Sequence, residues 1–185
     1  YEFDLKTVTG YRKKILAAPI KDGKAVLEQL AGQRREEAED DDLDWAEEIL
    51  GEMEGGYDNC RFSCYWDSDT NMTYPLILAK IPVKNPWDIF AYLPFGNWNE
   101  CPDTPELMAA AKYWFEQYGA VPAAMTHDEL EFELPAPISK EKAMEAAMEQ
   151  YGFCPDIVDQ EQDDPTVGNL ADVLWQSTVW YFWWD

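Results

Sequence analysis

The sequence has little positive charge. Its 14 lysine and arginine residues stand against 37 aspartate and glutamate residues, which gives a formal net charge of −23. A chain with this charge repels nucleic acid phosphates, so direct binding of DNA or RNA through a basic surface is disfavoured. The charge is typical of a surface that maintains solubility, or of one that attracts a basic protein partner. Both interpretations stay open at this point.

Long apolar runs are also missing, since the longest extend over only a few residues. A membrane-spanning helix requires roughly 20, so the sequence predicts no membrane association. No signal peptide is visible, and four cysteines in 185 residues do not form a disulfide framework. We therefore expect reduced thiols and a cytoplasmic protein. This localisation is inferred from composition, because the chain starts at Tyr1 and not at methionine.

Motifs for phosphate or nucleophile chemistry are not found. The sequence contains no glycine-rich phosphate loop, no dinucleotide fingerprint and no Gly-x-Ser-x-Gly elbow. After residue 94 the only basic residues are Lys112, Lys140 and Lys142. The sequence therefore predicts no cofactor.

Aromatic residues, in contrast, are abundant, and five of them stand together at positions 180–184. Each can bury on the order of 150–250 Å², which is too much apolar surface for a frayed chain end. We therefore predict that this stretch is a strand in the core, and that a helix beginning after Thr166 precedes it.

The remaining patterns of residues 74–185 predict an α/β or α+β domain, with a mixed sheet flanked by helices. Residues 74–81 are almost continuously apolar, as is typical of a strand buried on both faces. Further strands are predicted at 61–66, 120–126 and 130–134, the last with one buried face and one wet, acidic face. Helices are predicted at 104–118 and 139–151. Both end in the same Glu-Gln-Tyr-Gly sequence, in which we expect Gly119 and Gly152 to be the C-terminal caps.

Residues 1–73 are predicted to form an N-terminal segment that packs on the same domain. A strand is expected near residues 3–8, followed by a helix that is capped by Asp22 and ends at Gly32. Residues 36–54 contain no lysine or arginine and predict an exposed acidic helix. Such a charge run is usually a solvated face, and it is the most acidic surface that a basic partner could meet.

Four motifs resemble a known family. The stretches PFGNWNECP at 94–102, HDELEF at 127–132, FCPDIV at 153–158 and WYFWWD at 180–185 are similar, in this order, to the bacterial domain-of-unknown-function family numbered 4253. The resemblance covers roughly residues 74–185. It implies a small bacterial cytoplasmic domain and no particular activity. Asn97 stands where a second glycine is expected, which leaves the local loop conformation open.

His127 is the only histidine, so any imidazole chemistry passes through it. A nucleophilic pair with Cys101 or Cys154 is formally available. No protease signature surrounds either cysteine, so a structural histidine at the start of the following strand is the simpler interpretation. In an enzyme, the catalytic candidates would be Glu100, Cys101, His127, Asp128 and Cys154.

Metal ligands are scattered along the sequence. His127, Glu129 and Glu131 share one face of a regular strand, and Cys60 and Cys64 form one loose pair. Structural zinc usually needs two close pairs of cysteine or histidine. The sequence therefore predicts no metal site.

The turn at Trp98, Asn99 and Glu100 combines an aromatic ring, an amide and a carboxylate, a set that can line a pocket or anchor a partner. The alternative is a buried tryptophan, with Asn99 bonded to the loop backbone. The candidate binding residues are Trp98, Asn99, Glu100, His127, Glu131, Asp156 and Asp159.

Two hypotheses about function follow. The favoured one is an acidic protein-binding module, similar to an inhibitor or immunity protein, that meets a basic partner surface. The alternative is an enzyme whose pocket is formed by residues 98–101, 127–128 and 154–156. The binding hypothesis is favoured because no complete catalytic motif is found. The oligomeric state stays open.

Overall fold

The computed structural model describes residues 5–67, 69–160 and 166–185. A π-helical turn, Trp45–Leu50, follows the second helix, and a 3-10 turn, Pro86–Asp88, precedes the third. The helices and strands of the described residues, in chain order, are α1 (Leu5–Ala17), α2 (Gly23–Asp40), β1 (Trp66–Asp67), β2 (Met72–Thr73), α3 (Ile89–Tyr92), α4 (Thr104–Tyr118), β3 (Val121–Met125), β4 (Glu129–Glu133), α5 (Lys140–Phe153), α6 (Asp156–Asp159), α7 (Val167–Leu174) and β5 (Val179–Trp183).

The main sheet has three strands in the order β3-β4-β5. Both neighbouring pairs are antiparallel, with Met125 opposite Leu130 and Leu130 opposite Phe182. Of the two expected classes, α/β and α+β, the structure is α+β, and the flanking helices are confirmed, but the main sheet is antiparallel and not mixed. For β3 and β4 the reason lies in the connection, because the short loop between them can join only antiparallel strands.

The C-terminal strand lies in the core, as predicted. Trp180 and Phe182 are fully buried, and so is Trp184 just beyond the strand. Trp114 of α4 stacks on Phe182, with ring centroids 5.4 Å apart and planes inclined by 10°. The aromatic end of the chain is therefore the surface on which α4 and α5 pack.

Helix α4 has the predicted bounds, and Gly119 caps it in the left-handed conformation with φ of +73°. Gly152 is not a cap, because α5 continues through it to Phe153. A Cβ atom on Gly152 would lie 2.5 Å from the backbone nitrogen of Ala31 in α2. This glycine therefore serves the close approach of two helices and not the end of one.

The N-terminal expectations need three corrections. Residues 5–8 lie in α1, where we expected a strand; the rest of that expected strand lies outside the described residues. Helix α2 is capped by Asp22 as predicted, but it continues past Gly32 to Asp40. A glycine inside a helix costs only about 1 kcal/mol, and packing of α2 against α4 and α5 offsets that cost. Residues 36–54 do not form one helix: they comprise the end of α2, the π-helical turn and the irregular residues 41–44 and 51–54.

The largest correction concerns residues 74–81, which form no strand. Strands β1 and β2 form a hairpin of two residues each, and the expected strand at 61–66 contributes only Trp66. Pro75 and Pro82 stand on either side of the apolar run and have no amide hydrogen to donate to a sheet. The segment is extended and exposed, and the predicted burial on both faces is wrong.

Candidate functional site

The loop before α4 owes its shape to two asparagines. Asn97 and Asn99 have φ of +62° and +46°, and the neighbouring Gly96 has φ of +84°. Asparagine tolerates this left-handed region better than most residues, so Asn97 can occupy the position where a glycine was expected. The Trp98 ring packs against Phe95, with centroids 6.2 Å apart.

This loop is tied to the end of the chain. The Asn99 side-chain amide donates to the backbone carbonyl of Asp185, and the Asp185 amide donates to Oδ2 of Asp156 at 2.9 Å. Two motifs that are far apart in sequence therefore meet at the C-terminus. We call Asn99, Glu100, Asp156, Asp159 and Asp185 the C-terminal cluster.

Arg34 of α2 reaches into the C-terminal cluster. Its guanidinium forms ion pairs with Glu100 and, at 2.9 Å, with Glu37, and only 13% of the Arg34 side chain is exposed. Burial raises the pKa of Asp159, while the hydrogen bond from Tyr151 and the charge of Arg34 oppose this shift. Sequence reasoning missed Arg34, because no local motif marks it and only the packing of α2 brings it here.

The two cysteine candidates are buried. Cys101 is 4% exposed and Cys154 is fully buried, and the Cys154 thiol donates to the Trp183 carbonyl at 2.9 Å. Burial raises the pKa of both thiols. Reactive cysteines have a lowered pKa and are partly exposed, so neither environment favours a nucleophilic thiolate.

His127 lies elsewhere, in the turn between β3 and β4. Its side chain is 91% exposed, and its Nδ1 is 3.1 Å from Oδ1 of Asp128. Among the described residues, the imidazole forms no hydrogen bond or ion pair with Glu100, Cys101 or Cys154. His127 and Asp128 thus lie at this turn, where the Asp128 carbonyl accepts from the Trp184 amide, whereas Glu100 and Asp156 belong to the C-terminal cluster.

On the acidic face of β4 the central residue is covered and not wet, whereas Glu133 at the end of the strand is exposed. Glu131 is fully buried and accepts hydrogen bonds from the Ser63 amide at 2.7 Å, the Ser63 hydroxyl at 3.0 Å and the Cys64 amide at 3.3 Å. Glu129 accepts from the Tyr181 hydroxyl at 2.8 Å. The expectation of a solvated face is wrong for Glu131, because residues 59–64 lie over it and need an acceptor for their amides.

A groove of about 800 Å³ opens between residues 74–81 and strand β3. Leu76, Leu93 and Met125 contribute to its apolar lining, and His127 and Glu129 lie at one end. We call this cavity the apolar groove. Sequence reasoning missed it, because the apolar run that forms its wall was interpreted as a buried strand.

The described residues hold no group of three or more histidine, cysteine, aspartate or glutamate side chains placed to bind a metal ion. The helices in the described ranges lack the length or the apolar character needed to span a bilayer.

Comparison with known proteins identifies the family. No curated protein and no solved structure matches the chain. The family model described as "Domain of unknown function (DUF4253)" matches residues 77–185, more than half of the chain. The matched region includes the C-terminal cluster, the sheet and most of the wall of the apolar groove. The chain belongs to the DUF4253 family.

Proposed function

We propose that this protein is an acidic protein-binding module that meets a basic partner surface, as an inhibitor or immunity protein does. The observation that carries the proposal is a run of exposed apolar side chains at Leu76, Ile77 and Leu78, which are 62%, 94% and 102% exposed. Contiguous exposed apolar surface is a feature of protein interaction sites and ligand grooves.

The charge of the chain supports a basic partner. The acidic side chains of residues 36–48 are all exposed, and Arg34 and Arg35 beside them are paired with Glu37 and Glu39. The net charge of −23 extends an attractive field to a cationic protein over a distance of about a Debye length, roughly 10 Å at 0.1 M salt. Such complementarity increases the association rate and the specificity of an interface.

The test is affinity capture with the immobilised chain at ionic strengths of about 0.1 M and about 1 M. We expect a basic protein to be retained at low salt and released at high salt. A triple variant, Leu76→Asp with Ile77→Asp and Leu78→Asp, should no longer retain this basic protein at low salt. The control Leu5→Asp changes a leucine on α1 that is also exposed, at 66%, and should retain the partner. The proposal is contradicted if the amount of captured protein does not depend on the salt concentration, or if no protein is retained at all.

The alternative function is an enzyme centred on the C-terminal cluster. It is favoured by the raised pKa of Asp159, which is caused by burial of the carboxyl. Carboxyl groups with a shifted pKa are common among catalytic acids and bases. An activity screen of the chain beside Asp159→Asn tests it. Activity that disappears in the variant supports the enzyme, and activity that the variant keeps assigns it to another group.

A further inference from the structure

The wall of the apolar groove has unused hydrogen-bonding capacity. Within the described part of the chain, the backbone groups of Leu76, Ile77, Leu78, Ala79 and Lys80 neither donate nor accept a hydrogen bond with another residue. An extended segment in this state resembles an exposed edge strand, which is a template for pairing with another chain. Its natural complement is therefore a second extended backbone.

The shape of the groove and of its wall also favours a polypeptide. The side chains of Ile77 and Leu78 are almost fully exposed, so the wall does not enclose a small molecule as a ligand pocket does. A lipid or a small apolar ligand would leave the backbone groups of the wall unpaired. A peptide strand would pair with them and also cover the apolar side chains.

Charge at one end of the groove selects the kind of peptide. Asp128 and Glu129 stand together at the start of β4, and neither of them forms an ion pair with a lysine or arginine in the described ranges. Burial, a hydrogen bond to Glu129 and the charges of Glu129, Glu131 and Asp128 raise the pKa of the Tyr181 hydroxyl. This end of the groove is thus negative, and no lysine or arginine of the described part of the chain pairs with it.

We propose that the apolar groove binds an extended segment of a basic partner protein by strand pairing. The partner's backbone pairs with residues 76–80, its apolar side chains contact the groove, and a lysine or arginine reaches Asp128 and Glu129. This inference rests on the proposed function and specifies its interface. A second copy of the chain is a poorer occupant, because it would bring together two molecules that each carry a charge of −23.

The experiment measures the fluorescence anisotropy of labelled synthetic octapeptides added to the full chain. The first probe alternates valine with lysine. The second has the same composition in two blocks, the third alternates valine with glutamate, and the fourth is the first probe with N-methylated amides that cannot pair. We expect the first probe to bind and each of the others to bind at least roughly tenfold more weakly, a difference of about 1.4 kcal/mol.

Variants locate the binding. Leu76→Asp and Ile77→Asp should each lower the affinity for the first peptide roughly tenfold or more, and Leu5→Asp should leave this affinity unchanged. All three positions are exposed, and thermal unfolding by circular dichroism checks that each variant stays folded. Asp128→Asn should lower the affinity for the first peptide and reduce the salt dependence of its binding.

Four outcomes overturn the inference. Equal binding of the first and the N-methylated peptides shows charge-driven adsorption without strand pairing. Binding that Leu76→Asp and Ile77→Asp leave intact, or no binding at all, shows that the groove is not the site. A dimer in sedimentation that Ile77→Asp dissociates assigns the groove to a second copy. If these tests fail while a basic partner is still captured at low salt and is lost by the triple variant at Leu76, Ile77 and Leu78, the proposed function stands and the partner contacts this apolar run without strand pairing.

Discussion

Ser63 donates two hydrogen bonds to Glu131, one through its backbone amide at 2.7 Å and one through its hydroxyl at 3.0 Å. These hydrogen bonds join residues 59–64, which precede the region matched by the family model, to β4, the central strand of the main sheet. Because Glu131 is fully buried, the pair also holds residues 59–64 over a face of the sheet that would otherwise be exposed.

Replacing Glu131 tests this attachment. Glu131→Ala leaves the amides of Ser63 and Cys64 without an acceptor, and each unpaired buried donor costs about 1–3 kcal/mol. We expect the free energy of unfolding in urea to fall by about 2 kcal/mol or more. Glu131→Gln keeps one acceptor oxygen and should lose less. If the two variants have equal stability, the hydrogen bonds do not contribute as stated.

A substitution at Gly152 should disturb the contact between α2 and α5. In Gly152→Ala the new Cβ atom would lie 2.5 Å from the backbone nitrogen of Ala31, so the helices must separate, at a cost of about 1–3 kcal/mol. Gly32→Ala is the matched control, since its Cβ atom meets no other atom within 4 Å. This change should stabilise α2 by about 1 kcal/mol. Thermal unfolding should show a lower stability for Gly152→Ala and a higher stability for Gly32→Ala. A stabilised Gly152→Ala variant would contradict the close contact between α2 and α5.

Glu149 should make stability depend on pH. Burial raises the pKa of Glu149 above its usual value of 4.5, although hydrogen bonds from Tyr113 and Trp114 oppose the shift. A raised pKa means that the folded state holds the proton more tightly, so stability falls as the pH rises from about 4.5 through the folded-state pKa.

In Glu149→Gln this loss should disappear, and the unfolding free energy should vary less with pH just above 4.5. The glutamine carbonyl can still accept from the Trp114 indole, which lies 3.0 Å from the carboxylate in the parent. Urea unfolding across that pH range measures the slope. An unchanged slope in the variant would assign the pH dependence to other groups, such as Asp159.

Arg34 should hold down the pKa of Asp159. Its positive charge is one of the effects that oppose the burial of that carboxyl, so Arg34→Met should raise the pKa of Asp159 further. NMR titration of the Asp159 carboxyl carbon measures the change. Arg35→Met is the control, because Arg35 forms an exposed pair with Glu39 and should not move this pKa. Equal shifts in both variants would point to a general charge effect.

Much of the fold follows from local pattern. Helix α4 begins and ends where the sequence indicates, and Gly119 takes the left-handed cap conformation. The buried terminal strand follows from its aromatic content alone, since Trp180 and Phe182 have no stable alternative to the core. Such features depend on a few neighbouring residues or on total apolar area, and both are visible in a sequence.

The candidate site was less predictable. Asn99, Glu100, Asp156 and Asp159 were chosen from motifs and do lie close together, but the Arg34 among them comes from a helix outside the motifs. A pair of His127 with Cys101 or Cys154 was an open alternative to a structural histidine, and His127 lies at the turn between two strands. Sequence motifs indicate which residues are unusual, whereas their distances depend on how distant elements pack.

The sequence by itself determined that helices flank a sheet, the bounds of helix α4 and the burial of the aromatic end, because periodicity, caps and apolar area act locally or additively. Only the tertiary structure decided that residues 74–80 lie exposed beside β3 while Glu131, on the acidic face of β4, is covered. Residues 74–81 are excluded from the sheet because the prolines at their two ends cannot donate hydrogen bonds to a neighbouring strand. Glu131 is buried because the amides of Ser63 and Cys64 lie over it and donate hydrogen bonds to its carboxylate.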